Sequence, residues 1–124
     1  MKLLFTFRGK VKKNKGRGKL LGFPTANITL HKKIPEGIYA SQVTIDGQNY
    51  LAATFIGPAK TFGEKDYKAE SYILDFNKNI YGKWISVALF KKLRKNIRFD
   101  SAQALIKQME KDVSAARKFF STNS

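Results

Sequence analysis

Three short segments carry the residue types from which chemistry could be built. In Pro24-Thr25-Ala26-Asn27 a hydroxyl and a side-chain amide stand two residues apart, and on an extended chain such positions leave the same face. Thr25 and Asn27 thus offer two neutral oxygen donors, enough for a magnesium ion whose other ligands are nucleotide phosphates and water. The plainer alternative is a turn in which both side chains bond the backbone. Gly16-Arg17-Gly18-Lys19 is glycine-rich and basic, so its amides could approach phosphate oxygens while Lys19 supplies a point charge. It lacks the spacing of a Walker loop or a dinucleotide fingerprint, and taken alone it reads first as a simple flexible loop. Glu70 interrupts the strand-forming run Tyr67 to Phe76, where carboxylates are poor formers. It is either a surface residue facing a lysine or a base that accepts a hydroxyl proton during phosphoryl transfer.

These side chains need a rigid frame. Leu3 to Lys13 reads as a strand entering the basic loop Asn14 to Lys19, and Pro24 turns the next segment into a tight, extended corner. Gly37 to Ile45 and Gln48 to Ile56 are β-rich arms around Asp46-Gly47, a dipeptide that closes a two-residue hairpin. Gly57-Pro58 ends the second arm, and Ala59 to Asp66 reads as a mobile loop. Tyr67 to Phe76 and Lys83 to Leu93 are two further strands around Asn77-Lys78-Asn79. One helix follows, with Asp100 as N-cap, Gln103 in the capping-box position, and Leu105, Met109, Val113, Ala116 and Phe120 forming an apolar stripe. Ser121 to Ser124 is polar and expected to fray. About six strands and one helix predict a mainly β fold, a small six-stranded antiparallel barrel with a C-terminal helix, because closure removes exposed edges.

The chain has 124 residues, the size of one domain, with the barrel expected over about 1–99 and the helix over about 100–120. It has no cysteine and one histidine, His31, which removes thiolate chemistry and makes a transition-metal cage a poor expectation. No apolar run approaches the roughly 20 residues of a membrane span, and Met1 to Arg8 is short for a signal, so the expected compartment is the cytoplasm. The formal charge is +15, and residues 1–35 hold ten Lys or Arg with no acid before Glu36, which points to an anionic partner. Nineteen of the 24 basic residues are Lys rather than Arg, which weighs against sequence-reading contacts to nucleic acid.

The ordered string Gly16 to Asn27, Pro35-Glu36-Gly37-Ile38-Tyr39-Ala40, Glu70, Tyr81-Gly82-Lys83, Leu93-Arg94 and Phe99-Asp100-Ser101 closely resembles the ATP-dependent riboflavin kinases. In bacteria these usually form the carboxyl-terminal half of a bifunctional FAD synthetase. The resemblance runs from about Arg8 to Asp112 and implies a Greek-key barrel that transfers the γ-phosphate of MgATP to the ribityl 5′-hydroxyl of riboflavin, giving FMN. It further implies Thr25 and Asn27 as magnesium and phosphate ligands, with Asn14, Gly16, Gly18, Lys19, Ile73 and Tyr81 on the ATP side. Glu70 matches the catalytic base, and Arg94, Ile97 and Phe99 match the segment that contacts the flavin and its phosphate, with Arg94 expected to face that phosphate. No His-x-Gly-His-like signature is present, so FAD synthesis is not expected of this chain. The implied partners are ATP and riboflavin; neither nucleic acid nor a membrane is expected as a partner, and a barrel of this size is expected to be a monomer. A different class of function remains as the alternative: a non-enzymatic barrel that binds single-stranded nucleic acid through its basic face and aromatics.

Overall fold

The computed structural model describes residues 1–12, 25–58 and 67–123. Six strands and one helix follow in the order β1 (Phe5–Lys10), β2 (Ala26–Leu30), β3 (Gly37–Ile45), β4 (Gln48–Pro58), β5 (Tyr67–Ile73), β6 (Trp84–Arg94) and α1 (Ala102–Asn123). All pairings are antiparallel and the strand order is β1-β6-β3-β4-β5-β2. The two ends of that sheet meet where the Lys12 amide donates to the Asn27 carbonyl at 2.8 Å, so the barrel is nearly closed. The expected mainly β architecture is present.

Alternation along each strand builds the interior. Ala26, Ile28 and Leu30 of β2, Tyr39, Val43 and Ile45 of β3, and Ile85, Val87 and Leu89 of β6 all point into one buried cluster. The intervening positions of β3 and β4 face outward, and there Ala40 and Ala53 are direct partners beneath Ala116 and Phe120 of α1. Small side chains on both surfaces let the helix come close, while Phe90, Leu93 and Phe119 seal the margins. The sheet therefore carries a core on each face over β3 and β4 and leaves the outer face of β2 and β5 uncovered by the helix.

A chain of hydroxyls inside the barrel fixes the register that matters most. Ser41 Oγ donates to the Ala52 carbonyl at 3.0 Å, since a carbonyl can only accept. Thr54 must then donate to Ser41 at 2.6 Å and Ser71 to Thr54 at 2.8 Å. All three residues are buried, and no buried side-chain polar atom among the described residues lacks a partner. Ser71 inward forces its neighbour Glu70 outward; a one-residue slip would bury the carboxylate and strand the hydroxyls.

Several boundaries differ from the sequence reading. The β3–β4 hairpin is as expected, with Asp46 at φ 50° and Gly47 at φ 80°, the paired left-handed residues that match strand twist. By contrast β5 stops at Ile73, not Phe76, because Asp75 takes φ 57° and turns the chain early. The helix cap is Ser101 rather than Asp100: its hydroxyl accepts the Ala104 amide at 3.1 Å, which puts alanine where a capping box needs Glu or Gln. The helix also continues through Asn123, past the expected fray at Ser121. The loop expected at Ala59 to Asp66 lies outside the described residues. No described helix is long and apolar enough to cross a membrane.

Candidate active site

One row of cross-strand partners runs around the outer face of the barrel. Arg94 of β6 stands opposite Ile38 of β3, Ile38 opposite Phe55 of β4, Phe55 opposite Glu70 of β5, and Glu70 opposite Asn27 of β2. Direct partners share a face, so five side chains from five strands form a belt with polar ends and an apolar middle. Strands lie about 4.8 Å apart, which sets Glu70 about 14 Å from Arg94 along the sheet. Two irregularities in the β3–β6 pairing, next to Ile38 and next to Ser41, curl β6 so that its last residue reaches this row.

At one end, Thr25 and Asn27 occupy alternate positions leading into and along β2, and both are half-buried. The backbone of Asn27 is fixed by Lys12, which leaves its side-chain amide on the face that it shares with Glu70. Among the described residues no three His, Cys, Asp or Glu side chains cluster as metal ligands. The donor set at this end is two neutral oxygens beside one carboxylate, which fits a magnesium ion that brings phosphate ligands of its own.

Glu70 is half-buried, and its Oε1 lies 2.7 Å from Lys68 Nζ, a lysine two residues earlier on the same face. The Lys68 ammonium also lies 5.9 Å from the centre of the Phe55 ring. That ring lies back over Gly57: a Cβ built on Gly57 would come within 2.4 Å of Phe55 Cζ. The absence of a side chain at Gly57 is thus what lets the aromatic ring lie along the strand.

At the other end the Arg94 guanidinium is engaged on all three nitrogens. Nε and Nη2 donate to the two carboxylate oxygens of Asp112 at 2.7 and 2.8 Å, and Nη1 donates to the Lys95 carbonyl at 3.0 Å. Gln108 braces the same carboxylate at 3.0 Å, and Phe99 lies beneath the guanidinium at 5.9 Å. This fork ties β6 to the middle of the helix with both partners largely buried. Asn96 reaches back to the Ile56 carbonyl at 3.3 Å and to Glu36 at 3.4 Å, which holds the segment after β6 against β4.

The belt therefore includes Asn27, Glu70 and Arg94, three of the residues singled out from the sequence, with Thr25 two residues before Asn27 at the entry to β2. Phe99 joins through Arg94, while Ile97 is 53% exposed at the rim. Ile73 points into the barrel core, so only its backbone faces outward. Tyr81 sits in the turn before β6, its amide accepted by Asn79 Oδ1 at 3.0 Å. Asn14, Gly16, Gly18 and Lys19 lie outside the described residues. Sequence reasoning missed Lys68, Phe55, Ile38 and Asp112. Lys68 had a signal, since i and i+2 on a strand share a face; Asp112 had none, because its partner is 18 positions away.

The sequence profile of the flavokinase family, described as riboflavin kinase, matches residues 1–120. The chain belongs to the riboflavin kinase family. It is 42% identical over 119 residues to the trifunctional protein RibF/MnmA of Mycoplasmoides gallisepticum, covering 94% of this chain and 18% of that protein. It is 38% identical over 122 residues to the bifunctional riboflavin kinase/FMN adenylyltransferase of Listeria monocytogenes, covering 94% of this chain and 38% of the relative. The crystal structure of riboflavin kinase from Trypanosoma brucei superposes with a TM-score of 0.66 at 27% identity, over 94% of this chain and 79% of that one. The chain thus spans well under half the length of these two curated relatives.

Proposed function

We propose that this chain transfers the γ-phosphate of MgATP to the 5′-hydroxyl of the ribityl side chain of riboflavin, releasing FMN and ADP. The observation that carries the reading is the direct pairing of Asn27 with Glu70 at one end of an apolar strip made by Phe55 and Ile38. Phe55, the partly exposed member of the strip, suits the flat, apolar flavin ring, with Ile38 buried beside it, and the far end, at Arg94 and Phe99, suits the ring's polar edge. The ribityl chain then leads back toward Glu70.

Phosphoryl transfer depends mainly on positioning and charge neutralisation. Glu70 accepts the hydroxyl proton as the ribityl oxygen forms its bond to phosphorus and ADP departs. Thr25 and Asn27 would hold the magnesium ion, which when bound neutralises charge on the phosphates. Residues 14–19 are assigned to the ATP side, with Ile73 and Tyr81 offering backbone near the base. A nucleic-acid-binding reading would leave the Asn27–Glu70 pair and the apolar strip without a role.

The reading includes cytoplasmic action on small molecules by a monomer, with FMN as the end product. Incubating the purified chain with riboflavin, ATP and magnesium and separating the flavins tests it. FMN formed only when magnesium is present supports it. No FMN, or onward conversion to FAD, overturns the corresponding part.

A further inference from the structure

On the proposed reaction, phosphoryl transfer places a new dianion beside Glu70, where a cation must receive it. Arg94 is about 14 Å away along the sheet and has its three nitrogens bonded to Asp112 and Lys95. Lys68 is already in place. It leaves β5 on the same face as Glu70, with Thr29 and Gly57 as its cross-strand partners, and its Nζ is 2.7 Å from Glu70 Oε1 and 5.9 Å from the Phe55 ring centre.

We propose that Lys68 binds the phosphate of FMN, exchanging Glu70 for the new phosphomonoester as the reaction proceeds. This rests on Glu70 being the proton acceptor. In the resting chain the ammonium and carboxylate neutralise one another. During transfer the ribityl oxygen bonds to phosphorus, the bond from phosphorus to the β-phosphate oxygen breaks, ADP leaves with that electron pair, and the hydroxyl proton moves to Glu70. The carboxylate becomes a neutral acid, so Lys68 loses its counter-charge at the moment when a phosphate dianion is created within reach. Charge is conserved: the nucleotide and the Glu70 carboxylate each give up one negative unit, and the monoester dianion carries both.

A lysine suits this exchange. Its flexible four-carbon stem lets a compact point charge swing by a few ångströms, whereas a guanidinium fork locked to a carboxylate does not. The Phe55 face gives the ammonium a second attractive surface on the same side. Lys68 is thus a group that distinguishes product from substrate, because riboflavin has no charge at that end.

The test compares two ligands that differ only in the phosphate. Riboflavin and FMN are titrated into the wild-type chain and into Lys68→Met and Lys68→Arg, following flavin fluorescence without nucleotide. Lys68→Met is expected to weaken FMN binding by about ten- to a hundredfold, the range for one charge-assisted hydrogen bond, and to leave riboflavin within about twofold. Lys68→Arg should restore most of the difference. In the wild-type chain FMN must bind more tightly than riboflavin and lose that margin as salt is raised. Equal wild-type affinities, or equal losses for both flavins in Lys68→Met, overturn the assignment even if one variant fails to fold. If the wild-type chain makes FMN while these ratios do not move, only Lys68 is misassigned. If it makes no FMN and binds neither flavin, the kinase reading falls with it.

Discussion

Asn27 and Glu70 face one another across β2 and β5, and the next partners along the same row, Phe55 and Ile38, are apolar. Opposed side chains in an antiparallel pair have Cβ atoms about 4.5–5.5 Å apart, so an amide oxygen and a carboxylate serve one small volume. Both point away from the barrel core, and the register that holds them is enforced by the buried Ser41–Thr54–Ser71 chain behind them.

Glu70→Gln keeps the shape and removes the base. Turnover is expected to fall by about 10²- to 10⁴-fold, the usual contribution of a positioned general base, while nucleotide affinity stays close to wild type. Steady-state kinetics paired with ATP-binding calorimetry check this. Turnover at the wild-type rate would remove Glu70 from the mechanism.

Asn27→Ala separates the side chain from the backbone. The Asn27 carbonyl would still accept the Lys12 amide, so the barrel should close as before. The expected effect is a shift of the magnesium dependence to higher concentration, about tenfold at half-maximal rate, because one of two neutral protein oxygens is lost. A magnesium titration that superposes on wild type would show that the amide is not a ligand.

Gly57→Ala tests the apolar strip by adding one methyl and removing no charged group. The added methyl would meet Phe55 Cζ at 2.4 Å, so the ring must move off its present position. Riboflavin KM is expected to rise several-fold while the KM for ATP holds. Equal changes in both, or none in either, would mean that the Phe55 ring does not carry the flavin.

Much of this arrangement could be read from the residues beforehand, and the parts that could not share a cause. Asp46-Gly47 specifies its hairpin locally, and that hairpin sets the pairing of β3 with β4 over nine residues. Glu70 stood out because a carboxylate within a β-forming run is locally inconsistent. Local rules misplace the helix cap, because Asp100 and Ser101 are both good caps and only the three-dimensional path selects the serine. They end β5 too late, because nothing in the sequence marks Asp75 as the residue that turns left-handed. The row from Asn27 to Arg94 depends on four strand registers and two bulges at once, and the fork from Arg94 to Asp112 depends on how α1 packs. Such relations appear only once the sheet is assembled.

Two arginine–carboxylate forks attach α1 to the barrel, and their burial predicts unequal consequences. Arg94 and Asp112 are largely buried, with side-chain exposures of 17% and 8%; Arg117 and Asp75 stand in solvent and bond at 2.9 and 3.1 Å. Asp112→Ala leaves a guanidinium short of its charged partner and is expected to cost about 1.5–3 kcal/mol in urea denaturation, with a rise in riboflavin KM as Arg94 and Phe99 shift. Asp75→Asn is expected to change stability only slightly, since water and salt screen that pair. Its pH dependence has a definite sign. The Arg117 hydrogen bond and charge hold the Asp75 carboxyl below its ordinary value of 3.8, so its contribution is present above that pH and is lost as pH falls through the lowered value. Wild type and Asp75→Asn should therefore converge in strong acid. An Asp75→Asn loss as large as that of Asp112→Ala at neutral pH would reverse the ranking of the two forks.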